Sequence, residues 1–301
     1  MFIFKNPLIR IFKLKEWILK MDKGQLQLKY TQNFLQSSSL IIDLIEKTNL
    51  TEDDYVLEIG SGKGIITREL AEMVKQVVAI EYDQSLCRYL NNMFLPSKNV
   101  EIIEQNFLNY SLPKNKRYKV FASIPFNITA EIIKKLTEIS RAPKDSYLII
   151  QKEAAWKYTG QSYYKGSLRS LLLKPYFEFE IIHRFKRKDF RPIPDVDIVM
   201  LHIKKRRELL IKEGQGRLYQ DFLAYIFSQN NNGLKNKCKN IFSYRQFKRL
   251  ASDNGFKMKA DPTDLNFEQW YQLFCFFSSA PGMTVKKRKL VNGAYSSLLN
   301  Q

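Results

Sequence analysis

The first residues that could do chemistry are glycines that follow an apolar segment. Tyr55 to Ile59 is strand-like, and Gly60, Gly62 and Gly64 come directly after it, before a helix-like stretch at 65–73. Glycines there let the backbone turn sharply, and they let a ligand lie against main-chain N–H groups at a helix N-terminus. The strand, loop and helix predict a site for a nucleotide-like cofactor at the carboxyl edge of a parallel sheet.

The spacing of the glycines narrows the choice of cofactor. A dinucleotide fingerprint would have its third glycine where Ile65 stands, and a P-loop would have Ser or Thr directly after Lys63, where this chain has another glycine. The pattern Glu-x-Gly-x-Gly-x-Gly, which begins at Glu58, instead resembles the first motif of the S-adenosylmethionine-dependent methyltransferases. The resemblance implies S-adenosyl-L-methionine as cofactor, with Glu58, Gly60 and Gly62 in its site.

Two further strand-like segments also end in polar residues. Segment 76–81 ends in Glu81, and segment 100–104 is followed by Asn106 and Phe107. The Glu81 carboxylate can accept hydrogen bonds from both ribose hydroxyls of an adenosine cofactor. The Asn106 side-chain oxygen can accept from the adenine amine, and Phe107 can cover the ring face. Polar features at the ends of three consecutive strands predict one cofactor site rather than three separate strand caps.

A fourth strand-like segment, 118–122, leads into Ser123, Ile124, Pro125 and Phe126. This sequence resembles the catalytic motif of the amino-methyltransferases that act on adenine or cytosine. An exocyclic amine is a poor nucleophile because its lone pair is delocalised into the ring. The Ser123 side chain and a main-chain carbonyl held by Pro125 can accept its hydrogens, which localises the lone pair. Phe126 can stack on a base swung out of its helix or loop, and in-line placement then replaces a strong general base.

Composition and charge agree with an enzyme that acts on RNA. The chain has 301 residues and a formal net charge of +19, and its C-terminal part is the more basic per residue. Such a charge indicates a polyanionic partner, although single basic runs such as 204–207 are interpreted as solvated surface. The three cysteines and two histidines are isolated, so neither a metal site nor a disulfide framework is predicted. No apolar run is long enough to span a membrane, and the expected location is the cytoplasm.

The order of elements predicts an α/β fold, a Rossmann-like seven-stranded methyltransferase sheet with a small C-terminal all-helical domain. Strand-like and helix-like segments alternate until two strands, 177–185 and 196–204, follow each other as an antiparallel pair. From about residue 208 the pattern is helical only. The predicted divisions are a basic N-terminal extension (1–29), the methyltransferase domain (30–207), a helical RNA-binding domain (208–279) and a basic tail (280–301).

The N-terminal extension allows two interpretations. Apolar and basic residues alternate over its first twenty positions, so it is not a secretory signal. It could form a basic amphipathic helix from Pro7 onwards, or it could lie upstream of an internal start at Met21.

Taken together, the motifs resemble those of the rRNA adenine N6-methyltransferases. The segments that carry this resemblance are, in chain order, 32–35, 58–64, Glu81, Asn106, 123–126, 190–197 and 265–270. Within that superfamily the chain is most similar to the Erm proteins, which methylate an adenosine in the peptidyl-transferase loop of 23S rRNA and confer macrolide resistance. The compact helical tail and the Asn-Phe-Glu-Gln-Trp segment at 266–270 favour Erm over the small-subunit rRNA dimethyltransferases.

The resemblance adds residues and partners to the predicted site. It implies that Gln32, Asn33, Leu35, Tyr82 and Ser123 also contact the cofactor. It implies a monomer whose partner is 23S rRNA, either protein-free or an early precursor, with no membrane or metal involved. The alternatives are a DNA or small-subunit rRNA adenine methyltransferase and a non-catalytic nucleic-acid-binding relative. The intact glycine loop and the Ser-x-Pro-Phe motif argue against the last.

Two residues depart from the usual family pattern. Most relatives have Asn where Ser123 stands and Asp where Asn106 stands. The shorter Ser123 side chain can lose its contact to the target amine or reach it through water, which would leave the main-chain carbonyl dominant. Asn106 removes a charge beside the adenine of the cofactor. Both departures bear on the rate and on whether one or two methyl groups are added.

Overall fold

A computed structural model describes residues 34–114, 116–160, 166–279 and 284–299. The strands are β1 (Phe34–Leu35), β2 (Tyr55–Ile59), β3 (Gln76–Glu81), β4 (Val100–Glu104), β5 (Lys119–Ser123), β6 (Asp145–Gln151), β7 (Phe177–Arg184), β8 (Phe190–Arg191) and β9 (Ile198–Lys205). The helices are α1 (Ser38–Glu46), α2 (Ile65–Met73), α3 (Gln84–Met93), α4 (Thr129–Leu136), α5 (Lys152–Thr159), α6 (Leu168–Leu173), α7 (Gly216–Ser228), α8 (Leu234–Lys237), α9 (Tyr244–Asp253), α10 (Phe267–Ser278), α11 (Val285–Val291) and α12 (Ala294–Leu299). The predicted N-terminal extension and the residues Gln32 and Asn33 lie outside these ranges.

Seven of the described strands form one sheet in the order β4-β3-β2-β5-β6-β9-β7. Strands β2 to β6 run parallel, and β9 runs antiparallel between β6 and β7. The predicted Rossmann-like sheet, with an antiparallel pair at its end, is confirmed. The strand order reverses between β2 and β5. A ligand crevice is therefore expected outside the carboxyl ends of these two strands.

Helices cover both faces of the sheet, which is why its strands are apolar on both sides. In β5, Val120 and Ala122 belong to the hydrophobic cluster on one face, whereas Phe121 belongs to the cluster on the other. This alternation follows from the two-residue period of side chains along a strand. The sheet is thereby held between two apolar layers, and its carboxyl edge is left as the place for polar residues.

The C-terminal helices form a third hydrophobic cluster around α7. Phe222 of α7 and Trp270 of α10 lie at its centre, with ring centroids 6.4 Å apart. The helical character predicted for 208–279 is confirmed. Leu171 of α6 also belongs to this cluster, and the Tyr219 hydroxyl donates to the Leu171 carbonyl at 2.9 Å. A Cβ added at Gly166 would lie 2.7 Å from the Pro262 carbonyl oxygen, so the segment before α6 packs closely on the helical region.

The segment predicted as a basic tail contains two helices in its described part, α11 and α12. Val291 is fully buried against the helical cluster, and the Tyr295 N–H donates to Asp221 in α7 at 2.9 Å. The sequence does not predict this packing, because one buried valine in a run of lysines and arginines gives no helical periodicity. Within the described ranges, every helix is too short or too polar to cross a bilayer.

Candidate cofactor and catalytic site

The glycine loop after β2 has the geometry that the sequence predicted. Gly62 and Gly64 have φ values of +56° and +76°, in the left-handed region that favours glycine. A Cβ at Gly64 would lie 2.7 Å from Leu90, and a Cβ at Gly62 would lie 2.9 Å from the ring of Phe34. The loop therefore requires glycine both for its backbone conformation and for the close approach of its neighbours.

Glu81, at the end of β3, ties the loop to the neighbouring strand. Its carboxylate is 5% exposed and accepts from the Gly62 N–H at 2.9 Å. It also accepts from the N–H groups of Tyr82 at 2.7 Å and Asp83 at 3.0 Å. A carboxylate has about four acceptor positions, so about one stays available for a ligand hydroxyl in this geometry. If Glu81 binds both ribose hydroxyls, as predicted, one of its hydrogen bonds from the backbone N–H groups must be shared or released.

Glu58 leaves an unsatisfied acceptor beneath the same loop. One of its carboxylate oxygens accepts from the Thr67 hydroxyl at 2.6 Å, whereas the other, Oε1, is buried without a hydrogen-bond partner. The Ser61 hydroxyl is likewise buried without a hydrogen-bond partner of normal geometry, and it lies near enough to Glu58 to lower the pKa of that carboxyl somewhat. Buried polar groups are normally satisfied, so the two orphaned groups indicate a missing polar partner.

The end of β5 brings the proposed catalytic motif to the glycine loop. Ser123 is half-buried at the strand end, Ile124 is buried, and Phe126 begins a short 3-10 turn that leads into α4. One cavity is lined by residues of both motifs: Phe34, Gly60, Gly62, Ser123, Pro125 and Phe126. The structure therefore joins the predicted cofactor loop and the predicted catalytic motif at the point where the strand order reverses.

A short ribbon closes the opposite wall of the cavity. Strand β1 pairs antiparallel with β8, so that Phe34 lies opposite Arg191 and Leu35 opposite Phe190. Phe190 is 1% exposed and also lines the cavity. The predicted cofactor residue Leu35 is buried and also lines the cavity.

Comparison with known proteins decides the family. A family model described as "Ribosomal RNA adenine dimethylase" matches residues 24–279. The chain belongs to this family. It is 32% identical to an rRNA adenine N-6-methyltransferase of Limosilactobacillus reuteri, over 82% of this chain and 95% of that protein. It is 30% identical to the ribosomal RNA small subunit methyltransferase A of Mycoplasmopsis pulmonis, over 82% of this chain and 96% of that protein.

A solved structure supports the same assignment. The crystal structure of the 23S rRNA methyltransferase ErmE superposes with a TM-score of 0.74 at 27% identity, covering 80% of this chain and 98% of that one. The chain is thus an Erm-like, S-adenosylmethionine-dependent rRNA adenine N6-methyltransferase. The predicted resemblance, enzyme class and cofactor are confirmed.

The residues of this methyltransferase fit its cofactor. The orphaned Oε1 of Glu58 can accept from a ligand ammonium group, whose positive charge would favour the ionised form of this carboxyl. The N-terminus of α2 presents main-chain N–H groups, which favour a carboxylate. S-adenosylmethionine carries both groups on its methionine part. Within the described ranges, no cluster of His, Cys, Asp or Glu is suited to a metal ion.

Two predicted adenine contacts have other partners in this methyltransferase. The Asn106 side-chain oxygen accepts from the Leu108 N–H at 2.9 Å and caps a short turn. Phe107 is 5% exposed, packs in the main core, and lies 5.0 Å from the Lys135 ammonium. Little of its ring is left for a cofactor to contact. Tyr82, by contrast, is exposed beside Glu81.

The sequence missed a charged cluster at the rim of the site. The Asp197 carboxylate is bound by the Lys152 ammonium and, at 3.1 Å, by the Arg187 guanidinium. The bond from Lys152, followed by that from Arg187, lowers the pKa of Asp197. The next residue, Ile198, lines the cavity. A carboxylate thus holds two cations beside the cavity, and only the acidic end of the 190–197 segment indicated this in the sequence.

Glu58 should make the stability of this methyltransferase depend on pH. Burial is the main cause that raises the Glu58 pKa from 4.5 to about 7, and the nearby Glu81 charge adds to it. The unfolded chain loses this proton near its ordinary pKa, whereas the folded protein keeps it up to about pH 7. The free energy of unfolding should therefore fall by up to about 3 kcal/mol between these values and stay level above them.

Urea unfolding of Glu58→Gln across that pH range measures this effect. The variant keeps an acceptor for Thr67 and should lose the pH-dependent decrease. Glu104→Gln, at the exposed end of β4, is the matched control and should behave as the wild type. An unchanged pH profile in Glu58→Gln would show that Glu58 is ionised in the folded protein throughout.

Proposed function

We propose that this enzyme methylates N6 of an adenosine in the peptidyl-transferase loop of 23S rRNA and thereby confers macrolide resistance. The observation that carries the proposal is the likeness to the 23S rRNA methyltransferase ErmE, which extends over 98% of that chain and so includes its C-terminal part. Trp270, from the Erm-like segment 266–270, lies fully buried at the centre of the helical cluster and donates to the Pro262 carbonyl at 3.1 Å. This segment therefore supports the shape of the helical region, which we propose recognises the RNA.

The proposed chemistry assigns a role to each side of the cavity. S-adenosylmethionine, when bound, supplies a methyl group activated by a sulfonium. Glu81, the Gly60–Gly64 loop and Leu35 hold the cofactor, and the cofactor contacts of Gln32 and Asn33, outside the described residues, stay predictions. On the other side, the Ser123 hydroxyl and the Ile124 carbonyl accept the hydrogens of the adenine amine. The nitrogen lone pair would thereby be directed at the methyl group, whose bond to sulfur would break to leave a neutral thioether, and the amine proton would leave to water.

Phe126 holds the target base in this proposal. The ring is half-buried against the apolar layer that contains Phe121, so one part is fixed while another faces the cavity. A base can stack there only after it has left its helix or loop. The Lys152 and Arg187 cations at the rim then face the phosphates that flank it.

The substrate should present an unpaired adenosine beside a stem. Duplex RNA hides its base edges in a deep, narrow groove, so recognition rests on the shape of the stem and on the exposed base of a loop. Protein-free 23S rRNA or an early precursor meets this requirement better than a finished subunit does. We further propose that the enzyme acts as a monomer in the cytoplasm.

A second candidate is methylation of small-subunit rRNA. It is favoured by relatives of that name, at 30% identity in Mycoplasmopsis pulmonis and 31% in Fusobacterium nucleatum. The chemistry would be the same, because the motifs around the cavity serve any extruded adenine.

Labelled cofactor and mapping of the modified base distinguish the two candidates. Protein-free 23S rRNA, protein-free 16S rRNA and mature 50S subunits are incubated separately with the enzyme. We expect one methylated adenosine in 23S rRNA, poor labelling of 50S subunits, and macrolide resistance in cells that express the protein. Methylation confined to 16S rRNA, with macrolide sensitivity unchanged, would assign the chain to the small-subunit enzymes.

A further inference from the structure

A basic groove lies at the edge of the sheet opposite the cofactor cavity. Its walls come from three chain segments that precede β5, precede β6 and follow β9. Because β9 runs antiparallel to β6, all three segments meet at the amino ends of the parallel strands. In the described part of the chain, the cations that line the groove and have no ion pair are Lys114, Lys116, Arg117, Arg141, Lys144, Arg207 and Lys205, whose ammonium donates to the Ile139 carbonyl at 2.8 Å. Among the described residues that line it, none is acidic.

The carboxylates near this edge are already engaged. Asp54 pairs with the buried Lys119 at 2.7 Å, and Asp145 pairs with His202 at 2.8 Å. Glu178 accepts from Arg206 at 3.0 Å. These contacts hold the three carboxylates outside the groove, and Glu138, which accepts from the Ser140 hydroxyl at 3.1 Å, is also outside its lining. The described lining therefore carries positive charge only. A concave surface lined by one sign of charge concentrates the field and attracts the opposite charge.

Backbone hydrogen bonds hold the three walls together. The Tyr118 hydroxyl donates to the Arg141 carbonyl at 2.7 Å, and the Lys144 N–H donates to the Tyr118 carbonyl at 3.0 Å. The Lys205 N–H donates in turn to the Lys144 carbonyl at 2.9 Å. The backbone that carries the cations is therefore held in place by hydrogen bonds. This preorganisation lowers the entropic cost of ordering the cations around a ligand.

We propose that this groove binds the phosphodiester backbone of a second rRNA segment, away from the methylated adenosine. The proposal rests on the proposed function only in that the substrate is a long rRNA. The groove and the cavity lie at opposite ends of β5, whose five residues span roughly 16 Å. One RNA segment can thus occupy the cavity while another contacts the groove.

The chemistry of the groove favours a sequence-independent contact with RNA. Guanidinium groups such as those of Arg117 and Arg207 bind phosphate in a fork, and lysine ammonium groups bind it as point charges. Among the described lining residues, the one aromatic side chain, Tyr118, is buried and donates to the Arg141 carbonyl, so its ring is not free to stack on a base. Phosphate contacts of this kind position an RNA without reading its sequence.

A double variant, Arg117→Gln with Lys144→Gln, tests the groove in the full-length enzyme. Affinity is measured at several salt concentrations for long 23S and 16S rRNA fragments and for a short hairpin that contains the target loop. Loss of two phosphate contacts should lower the salt slope for long rRNA by about 1.8, so the loss of affinity should be about tenfold larger at 50 mM than at 200 mM salt. The hairpin, which reaches only the cavity, should bind the variant and the wild type alike.

The matched control is Arg88→Gln with Lys98→Gln, which removes one arginine and one lysine from exposed positions outside the groove. It should leave the affinity for long rRNA unchanged. Equal affinities of the groove variant and the wild type for long rRNA would overturn the proposal, as would an equal loss on the hairpin and on long rRNA. Binding is measured with both 23S and 16S rRNA fragments. The result therefore tests the groove independently of which rRNA is methylated.

Discussion

Replacing Glu81 with alanine should weaken S-adenosylmethionine binding by roughly a hundredfold or more. Charge-assisted hydrogen bonds are worth about 1.5–3 kcal/mol each, and the ribose can make up to two with this carboxylate. The variant also removes the acceptor that holds the Gly62 N–H at 2.9 Å, so the glycine loop loses a support together with the ligand contact. A loss of about 3 kcal/mol corresponds to a factor of roughly 150 in Kd, which calorimetry can measure.

Glu104→Ala provides a closely matched control. Glu104 ends β4 directly opposite Glu81 in the sheet register, but its side chain is exposed. The same chemical change one strand away should leave cofactor affinity within about twofold of the wild type, as is usual for exposed positions without special contacts. Unchanged affinity in Glu81→Ala would mean that the ribose binds elsewhere along the carboxyl edge.

Phe126→Ala should lower methyl transfer while leaving cofactor affinity intact. Stacking of a base on an aromatic side chain is worth about 1–3 kcal/mol, which corresponds to a decrease in kcat/KM of roughly 5- to 150-fold. The cofactor should still bind, because in our proposal Glu81 and the glycine loop hold it. Single-turnover methylation of rRNA and calorimetry with the cofactor measure the two effects separately.

Phe126→Tyr separates stacking from the packing of this segment. It keeps the ring, so it should retain most of the activity that the alanine variant loses. A thermal unfolding curve for each variant identifies any loss that comes from the apolar layer behind the ring. Wild-type rates in a folded Phe126→Ala enzyme would contradict the model of an extruded, stacked base.

The strands and the glycine loop could be read from the sequence because local patterns determine them. Strand β2 covers the predicted residues, Tyr55–Ile59. A short apolar run that ends in glycines is compatible with few secondary structures other than a buried strand. The helix predicted over 130–140 ends earlier, at Leu136. There the Thr137 hydroxyl donates to the Ile133 carbonyl at 2.7 Å, a local bond that competes with helix continuation.

Features built from distant segments could not be read in this way. The β1–β8 ribbon has only two residues in each strand, too few to show any periodicity. The burial of Phe107 depends on α4, whose Lys135 lies over its ring. The run at 204–207, interpreted as solvated surface, contacts Glu178 through Lys204 and Arg206, because the register of β7 and β9 brings them together. In each case tertiary contacts decide what a local pattern leaves open.

The packing of α6 on the C-terminal helices determines which segment of the chain could be exchanged between relatives by recombination. Leu171 is fully buried in the helical cluster, and Gly166 lies against Pro262 with no room for a Cβ. A chimera joined at residue 207 would pair α6 of one parent with the helices of another and mismatch this interface. If the helical region recognises the RNA, as we propose, a chimera that transfers this recognition should include α6 with the helical region and have its crossover point upstream of Gly166.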